Sequence, residues 1–298
     1  MSEIILKDGG TGQELIRRSS MAPHPLWSAK VMMEEPDIVQ SVHEDFIRAG
    51  ARLITLNTYS ATPERLAREG VAEMFVPLQT RAVELVQRAC EAVGENGVRI
   101  GGCLPPLHGS YRPDMMRSHN DLLPAYREIA DMQAPHADVM IAETLASVAE
   151  ATAAAQAGVE TGVPTWVGMT LNDDDSGKLR SGEPLAAALD RLAGLKLAGV
   201  MLNCSKPEVV TDNLQALLQT RFPVGAYANA FSGISALEIG GTVSELKARA
   251  DMTPSDYADF AMGWVAQGAT FVGGCCEVGP AHIRELAQRL KADGHIII

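Results

Sequence analysis

Eight short apolar runs recur along the chain, at residues 4–7, 53–56, 98–101, 139–141, 165–169, 199–202, 223–227 and 270–273. Each is punctuated by Gly, Asn, Pro or Cys before an amphipathic stretch begins. The stretches at 37–48, 79–93, 122–133, 145–157, 185–195, 207–218 and 254–267 carry apolar residues at helical spacing. Strand alternating with helix implies parallel strands joined by helical crossovers, and eight strands is the number that closes a barrel. The rival is an open doubly wound sheet, but no G-x-G-x-x-G dinucleotide fingerprint follows a run. The expected fold is therefore α/β: a single (β/α)8 TIM barrel spanning residues 1–298 as one domain. Its chemistry would lie at the C-terminal ends of the strands.

The composition narrows the function. The 298 residues carry a formal net charge of −12 and no basic cluster, so nucleic acid is not an expected partner. The N-terminus lacks a basic leader, and no apolar run approaches the ~18 residues of a membrane span. Five cysteines, two of them adjacent, make a poor disulfide framework. Reduced thiols and a cytoplasmic location are expected.

The cysteines carry the chemistry. Cys275 and Cys276 follow Gly273-Gly274 at the end of the last apolar run, and Cys204 ends the sixth. Neighbouring side chains on an extended strand face opposite ways, so both sulfurs reach one site only if the backbone leaves the strand, as two glycines allow. Three thiolates from two strand ends would hold a zinc ion and leave its fourth position open, the arrangement of a catalytic site. The competing reading is a vicinal Cys275–Cys276 disulfide in a redox protein. Cys90 reads as helix core, and Cys103 as core or rim.

The run Gly273-Gly274-Cys275-Cys276, continued by Pro280, His282 and Ile283 and paired with Asn203-Cys204, resembles the homocysteine S-methyltransferase family. Asp8-Gly9-Gly10-Thr11-Gly12-Gln13-Glu14-Leu15 is similar to the opening motif of that family. Pro25-Leu26-Trp27-Ser28-Ala29, Asn57-Thr58-Tyr59 and Ala142-Glu143-Thr144 follow its later blocks, so the likeness runs through nearly the whole chain. The resemblance implies transfer of a methyl group to the thiol of homocysteine, giving methionine, with zinc on Cys204, Cys275 and Cys276. It also implies that Asp8 and Glu143 hold the substrate ammonium. The backbone N–H groups of Gly9, Gly10 and Thr11 are expected to receive the substrate carboxylate, and Asn203 is placed with the substrate-binding residues.

A cationic methyl donor seeks aromatic faces. Trp27 and Tyr59 are candidates, with Tyr111 on a segment, 108–120, read as a lid over the mouth. Betaine enzymes of the family place an extra tyrosine after the strand-two aromatic, where this chain has Ser60. S-methylmethionine or another sulfonium is the expected donor, and glycine betaine the alternative. A corrinoid-linked methyltransferase and a zinc-binding barrel without catalysis stay open. His43 and His282 sit in helical patterns and read as packing or hydrogen-bonding residues. Residues 173–177 read as a solvated acidic loop, and the apolar tail at 294–298 is expected to dock, on this chain or on another subunit.

Overall fold

Among the described residues nine strands, every pair of them parallel, form one curled sheet surrounded by helices. They are β1 (Glu3–Leu6), β2 (Leu53–Thr55), β3 (Arg99–Leu104), β4 (Val139–Leu145), β5 (Thr165–Met169), β6 (Gly199–Asn203), β7 (Val224–Tyr227), β8 (Phe271–Val272) and β9 (Ile296–Ile297). This is a computed structural model, and it describes residues 1–115, 117–174, 176–233 and 246–298. Met116, in the segment read as a lid, and Asp175, in the acidic loop, lie outside the described residues.

The sheet order is β2-β3-β4-β5-β6-β7-β8-β1-β9. As ladders go, the sheet is open, with β2 at one end and β9 at the other. An isolated parallel bridge between Lys7 and Leu53 links the end of β1 to β2, with Asp8 N–H donating to Leu53 O at 2.9 Å and Arg52 N–H to Leu6 O at 2.9 Å. The eight strands coincide with the eight apolar runs to within a few residues. The ninth was not foreseen as a strand: the tail docks on its own chain, Ile296 and Ile297 pairing with Glu3 and Ile4.

Eleven α-helices occur among the described residues: α1 (Thr11–Arg18), α2 (Trp27–Glu34), α3 (Pro36–Ala49), α4 (Pro63–Arg68), α5 (Phe75–Val93), α6 (His119–Gln133), α7 (Val148–Glu160), α8 (Leu185–Leu192), α9 (Pro207–Leu218), α10 (Pro254–Gln267) and α11 (Pro280–Ala292). The long ones match the amphipathic stretches and are capped as their sequences suggest. Pro36 opens α3 and Gly50 closes it at φ 112°, while Thr253 and Asp256 form a capping box on α10. Helices α1, α2 and α4, of 8, 8 and 6 residues, fall outside the amphipathic stretches. None of the described helices is long and apolar enough to cross a membrane.

The alternation along each strand positions the site. One set of side chains packs between sheet and helices in the large core. The other set fills the inside of the curl with Leu53, Val139, Ile141, Trp166, Met201, Tyr227 and Phe271, against which Ile5 packs. Two residues further along four of those strands, the same parity brings Lys7 after Ile5, Thr55 after Leu53, Glu143 after Ile141 and Asn203 after Met201. The apolar filling thus gives way to a polar layer at the C-terminal ends of the strands.

Candidate active site

A cavity of about 140 Å3 borders this polar layer. Lys7, Thr55, Cys103 and Glu143 contribute to its wall, as do Gly9–Gly12, Trp27, Tyr59, Arg65, Cys204, Cys275 and Cys276. Residues 108–112 border it too, so the segment read as a lid does adjoin the site.

Strand β7 organises the cysteines. Cys204 N–H donates to Tyr227 O and Cys275 N–H to Ala228 O, each at 3.0 Å, so the two residues are gathered around the end of the strand between them. Asn229 Nδ2 donates to Cys204 O at 2.9 Å, and Ala230 N–H to Cys276 O at 3.0 Å. All three sulfurs lie within 4.8 Å of one another. The expectation of reduced thiols does not hold throughout: Cys204 and Cys275 form a disulfide, with Cα atoms 5.6 Å apart. The vicinal Cys275–Cys276 pairing is not formed, and Cys276 is free. Burial, with the carboxylates of Glu277 and Glu143, pushes the Cys276 thiol up to about 12. A thiolate here therefore needs a cation beside it, and once the disulfide is reduced three clustered soft donors fit zinc.

The glycines around the cysteines serve close approach rather than unusual φ. A Cβ on Gly9 would meet Val278 O at 2.0 Å, and one on Gly274 would meet Val278 Cγ1 at 2.2 Å. The opening Asp8-Gly9-Gly10 turn and the cysteine loop are thus in backbone contact, which only glycine permits. Left-handed backbone falls on other residues. The positive-φ non-glycine residues among those described are Trp27, Tyr111, Thr144, Cys204 and Glu277. Three of them border the cavity, Thr144 follows Glu143, and Glu277 follows Cys276. Gln13 Nε2 and Arg17 Nη2 hold the Glu277 carboxylate at 2.5 and 3.2 Å.

Glu143 sits at the cavity wall, 7% exposed. The register of β4 against β5 shifts between Ala142 and Leu145, a bulge-like irregularity beside the glutamate. Tyr227 Oη donates to its Oε2 at 2.8 Å and Cys103 Sγ to its Oε1 at 3.4 Å. Asp8 is fully buried and does not border the cavity. It accepts from Lys7 Nζ at 2.7 Å, from Thr55 N–H at 2.9 Å and from Thr55 Oγ1 at 3.1 Å. The amides expected to meet a carboxylate are partly spent as well: Gly10 N–H donates to Val278 O and Thr11 N–H to Gly9 O. The Thr11 hydroxyl, buried at the cavity wall, has no hydrogen-bond partner among the described residues. Asn203 spends its whole amide on Thr144, with Oδ1 accepting from the Thr144 N–H and Nδ2 donating to Oγ1, both at 2.9 Å. It reaches across β5 because Gly168 lies between; a Cβ there would sit 2.6 Å from Asn203 Oδ1.

The three aromatic candidates all border the cavity, but two ring faces are already covered. Arg65 lies 5.4 Å over Tyr59, and Arg180 lies 4.8 Å over Tyr111. Tyr111 Oη is 2.8 Å from Cys204 Sγ. Trp27 meets Tyr59 edge-on with centroids 5.9 Å apart. Buried Nε1 of Trp27 and Nε of Arg65 have no hydrogen-bond partner among the described residues.

Comparison with known proteins decides the family. The homocysteine S-methyltransferase family model matches residues 5–290. The chain belongs to that family. It is 31% identical to a homocysteine S-methyltransferase of Escherichia coli, over 96% of this chain and 95% of that protein. It is 28% identical to a betaine-homocysteine S-methyltransferase of Drosophila melanogaster, over 98% and 95%. Among solved structures, the metallated form of the homocysteine methyltransferase MmuM from Escherichia coli superposes with a TM-score of 0.79 at 32% identity, covering 96% of both chains. The protein is thus a methyltransferase acting on homocysteine.

In this homocysteine S-methyltransferase the two histidines differ. His282 caps α11: Gly279 N–H donates to its Nδ1 at 3.2 Å, and its Nε2 meets Met252 O at 3.1 Å. His43 on α3 is fully buried with neither ring nitrogen hydrogen-bonded among the described residues, and burial lowers it to about 4, against a smaller opposing pull from Asp8. The unfolded chain binds this proton below about pH 6.5 and the folded one does not until about pH 4. Stability is therefore full above pH 6.5 and falls as pH drops through that window, by roughly 3 kcal/mol from this group. His43→Met should flatten the pH dependence of the unfolding midpoint between pH 6.5 and 4. An unchanged slope in the variant would remove His43 as its source.

Proposed function

We propose that the protein transfers a methyl group from a sulfonium donor, with S-methylmethionine the expected one, to homocysteine, and that zinc held by Cys204, Cys275 and Cys276 is its cofactor. The observation that carries this is the meeting, at one cavity, of three sulfurs within 4.8 Å of one another and the Glu143 carboxylate. We also read the curled sheet as a single closed (β/α)8 barrel over residues 1–298. The Lys7–Leu53 bridge between β1 and β2 and the one large core support that reading. A cytoplasmic location suits the need for reduced thiols.

Bound zinc supplies the positive charge that lets a substrate thiol ionise at neutral pH, below its ordinary value of about 8.5. Glu143 takes the substrate ammonium, with Tyr227 and Cys103 fixing the carboxylate from the other side. The first turn of α1, with the Thr11 hydroxyl, receives the carboxylate at a helix N-terminus. The homocysteine thiolate then attacks the methyl carbon, and the old C–S bond breaks with its electron pair left on the donor sulfur. A sulfonium becomes a neutral thioether, so no side chain has to deliver a proton to the leaving group. The work of the protein is to hold sulfur, carbon and sulfur in line.

On the donor side, Trp27 offers the aromatic surface that no arginine among the described residues covers, and Arg65 Nε and Trp27 Nε1, without a partner among those residues, are donors for the carboxylate that such a methyl donor carries. Ser60 is buried and donates to Leu26 O at 2.7 Å, leaving no bulky ring there to enclose a trimethylammonium group. The expected result is methyl transfer from S-methylmethionine at least about tenfold faster than from glycine betaine at equal concentration. Such a margin corresponds to about 1.4 kcal/mol at the transition state. Trp27→Ala should raise the KM for the donor more than that for homocysteine. A preference for betaine would overturn the donor assignment, and absence of methionine with every onium donor would overturn the activity.

A further inference from the structure

The alternation of β1 turns Lys7 inward, two residues beyond Ile5, into a layer where a cation is costly unless it is paired. The side chain is 4% exposed; its Nζ lies 2.7 Å from Asp8 Oδ1 and 5.0 Å from the centre of the Tyr227 ring. Burial would by itself lower the Lys7 ammonium, but Asp8 and Glu143 together outweigh it and hold it above its ordinary value, so it stays charged. Asp8 is saturated, since Thr55 donates to both of its oxygens in addition to Lys7. Glu143 is not: its partners among the described residues are the uncharged Tyr227 hydroxyl and Cys103 thiol. Lys7 and Glu143 border the cavity; Asp8 does not.

We propose that Lys7 is a specificity-determining residue: by pairing with Asp8 it leaves Glu143 as the single carboxylate that reads the ammonium of an α-amino-acid thiol. This rests on the homocysteine reading above and changes which residue performs the recognition. Two carboxylates and one lysine leave the layer with one net negative charge, which one substrate ammonium neutralises. Without Lys7 there would be two, and Asp8 would compete for the same ammonium. With Lys7 hydrogen-bonded to Asp8, a thiol lacking the amino group would leave the buried Glu143 carboxylate with no hydrogen-bonded cation, and discrimination against it follows.

The test is equilibrium binding of homocysteine and of 4-mercaptobutanoate, which lacks the amino group, to the reduced, zinc-loaded protein. The wild type should prefer homocysteine by at least about tenfold, the value of one charge-assisted contact. In Glu143→Gln the preference should fall below about threefold, and in Lys7→Met/Glu143→Gln it should recover above that value because Asp8 is released. A preference at or above about threefold in Glu143→Gln would show that Asp8 reads the ammonium despite Lys7, and would overturn the proposal. A folded double variant with no recovery would overturn it as well. Should the double variant not fold, the Glu143→Gln result decides. A wild type that binds neither thiol would instead remove the homocysteine reading itself, so the two failures are told apart.

Discussion

Replacing Cys276 by alanine is expected to strip the protein of zinc and to lower methyl transfer about 10³-fold or more, while the fold persists. Loss of an outer-shell partner alone weakens metal binding roughly 10–100-fold, and loss of one of the three proposed direct ligands should exceed that. Without the metal, a thiol of ordinary acidity is only about 3% ionised at pH 7, a loss of roughly thirtyfold. Loss of alignment between thiol and methyl group adds about a further hundredfold. Cys276 is the cysteine to replace because it is free, whereas Cys204 and Cys275 are joined and a change there would also remove the disulfide. The measurements are metal content of the reduced protein by mass spectrometry, methionine formation, and the unfolding midpoint. Full zinc occupancy with normal turnover in Cys276→Ala would mean that the ligands are misassigned.

Asn203→Ala should cost about 2–4 kcal/mol of stability. Both hydrogen bonds to Thr144 disappear, and the buried Thr144 N–H loses its partner, a penalty of about 1–3 kcal/mol in itself. Thr144 holds a left-handed conformation at φ 62°, which the same pair of bonds restrains. For a chain of this size the unfolding midpoint should fall by roughly 3–6 °C. Homocysteine affinity should fall with it, because Glu143 precedes Thr144. A variant with an unchanged midpoint and a raised KM for homocysteine would place Asn203 on the substrate, as the family resemblance suggested, and not on Thr144.

What could be read in the chain beforehand was whatever one strand or one loop determines. The apolar runs set the strands, their period set which residues turn inward, and the adjacent cysteines with Cys204 marked the site because cysteine beside glycine at a strand end is uncommon. Pairings across the sheet were not legible. Lys7 sits within a run that reads as apolar, and its partners Asp8 and Tyr227 come from the end of β1 and from β7, while Thr55 of β2 holds Asp8. The reach of Asn203 to Thr144 depends on a glycine in the strand between them. Arg65 over Tyr59 depends on α4, which is too short to show a helical period. The disulfide joins two cysteines 71 residues apart and could be inferred only once both were seen hydrogen-bonded to β7. The one usable clue was the parity of Lys7 itself, two positions beyond Ile5 on the inward face.

The five left-handed residues that ring the site also bear on how this enzyme could be engineered. A non-glycine residue held in that region costs about 1–3 kcal/mol. Glycine at such a position relieves that strain but also frees the unfolded chain. At Thr144 it would remove the hydroxyl to which Asn203 Nδ2 donates, and at Glu277 the carboxylate that Gln13 and Arg17 hold. Strain relief and lost hydrogen bonds therefore oppose each other at these two positions, and heat tolerance is better sought away from them, where the carboxylate and the thiol beside them are not loosened.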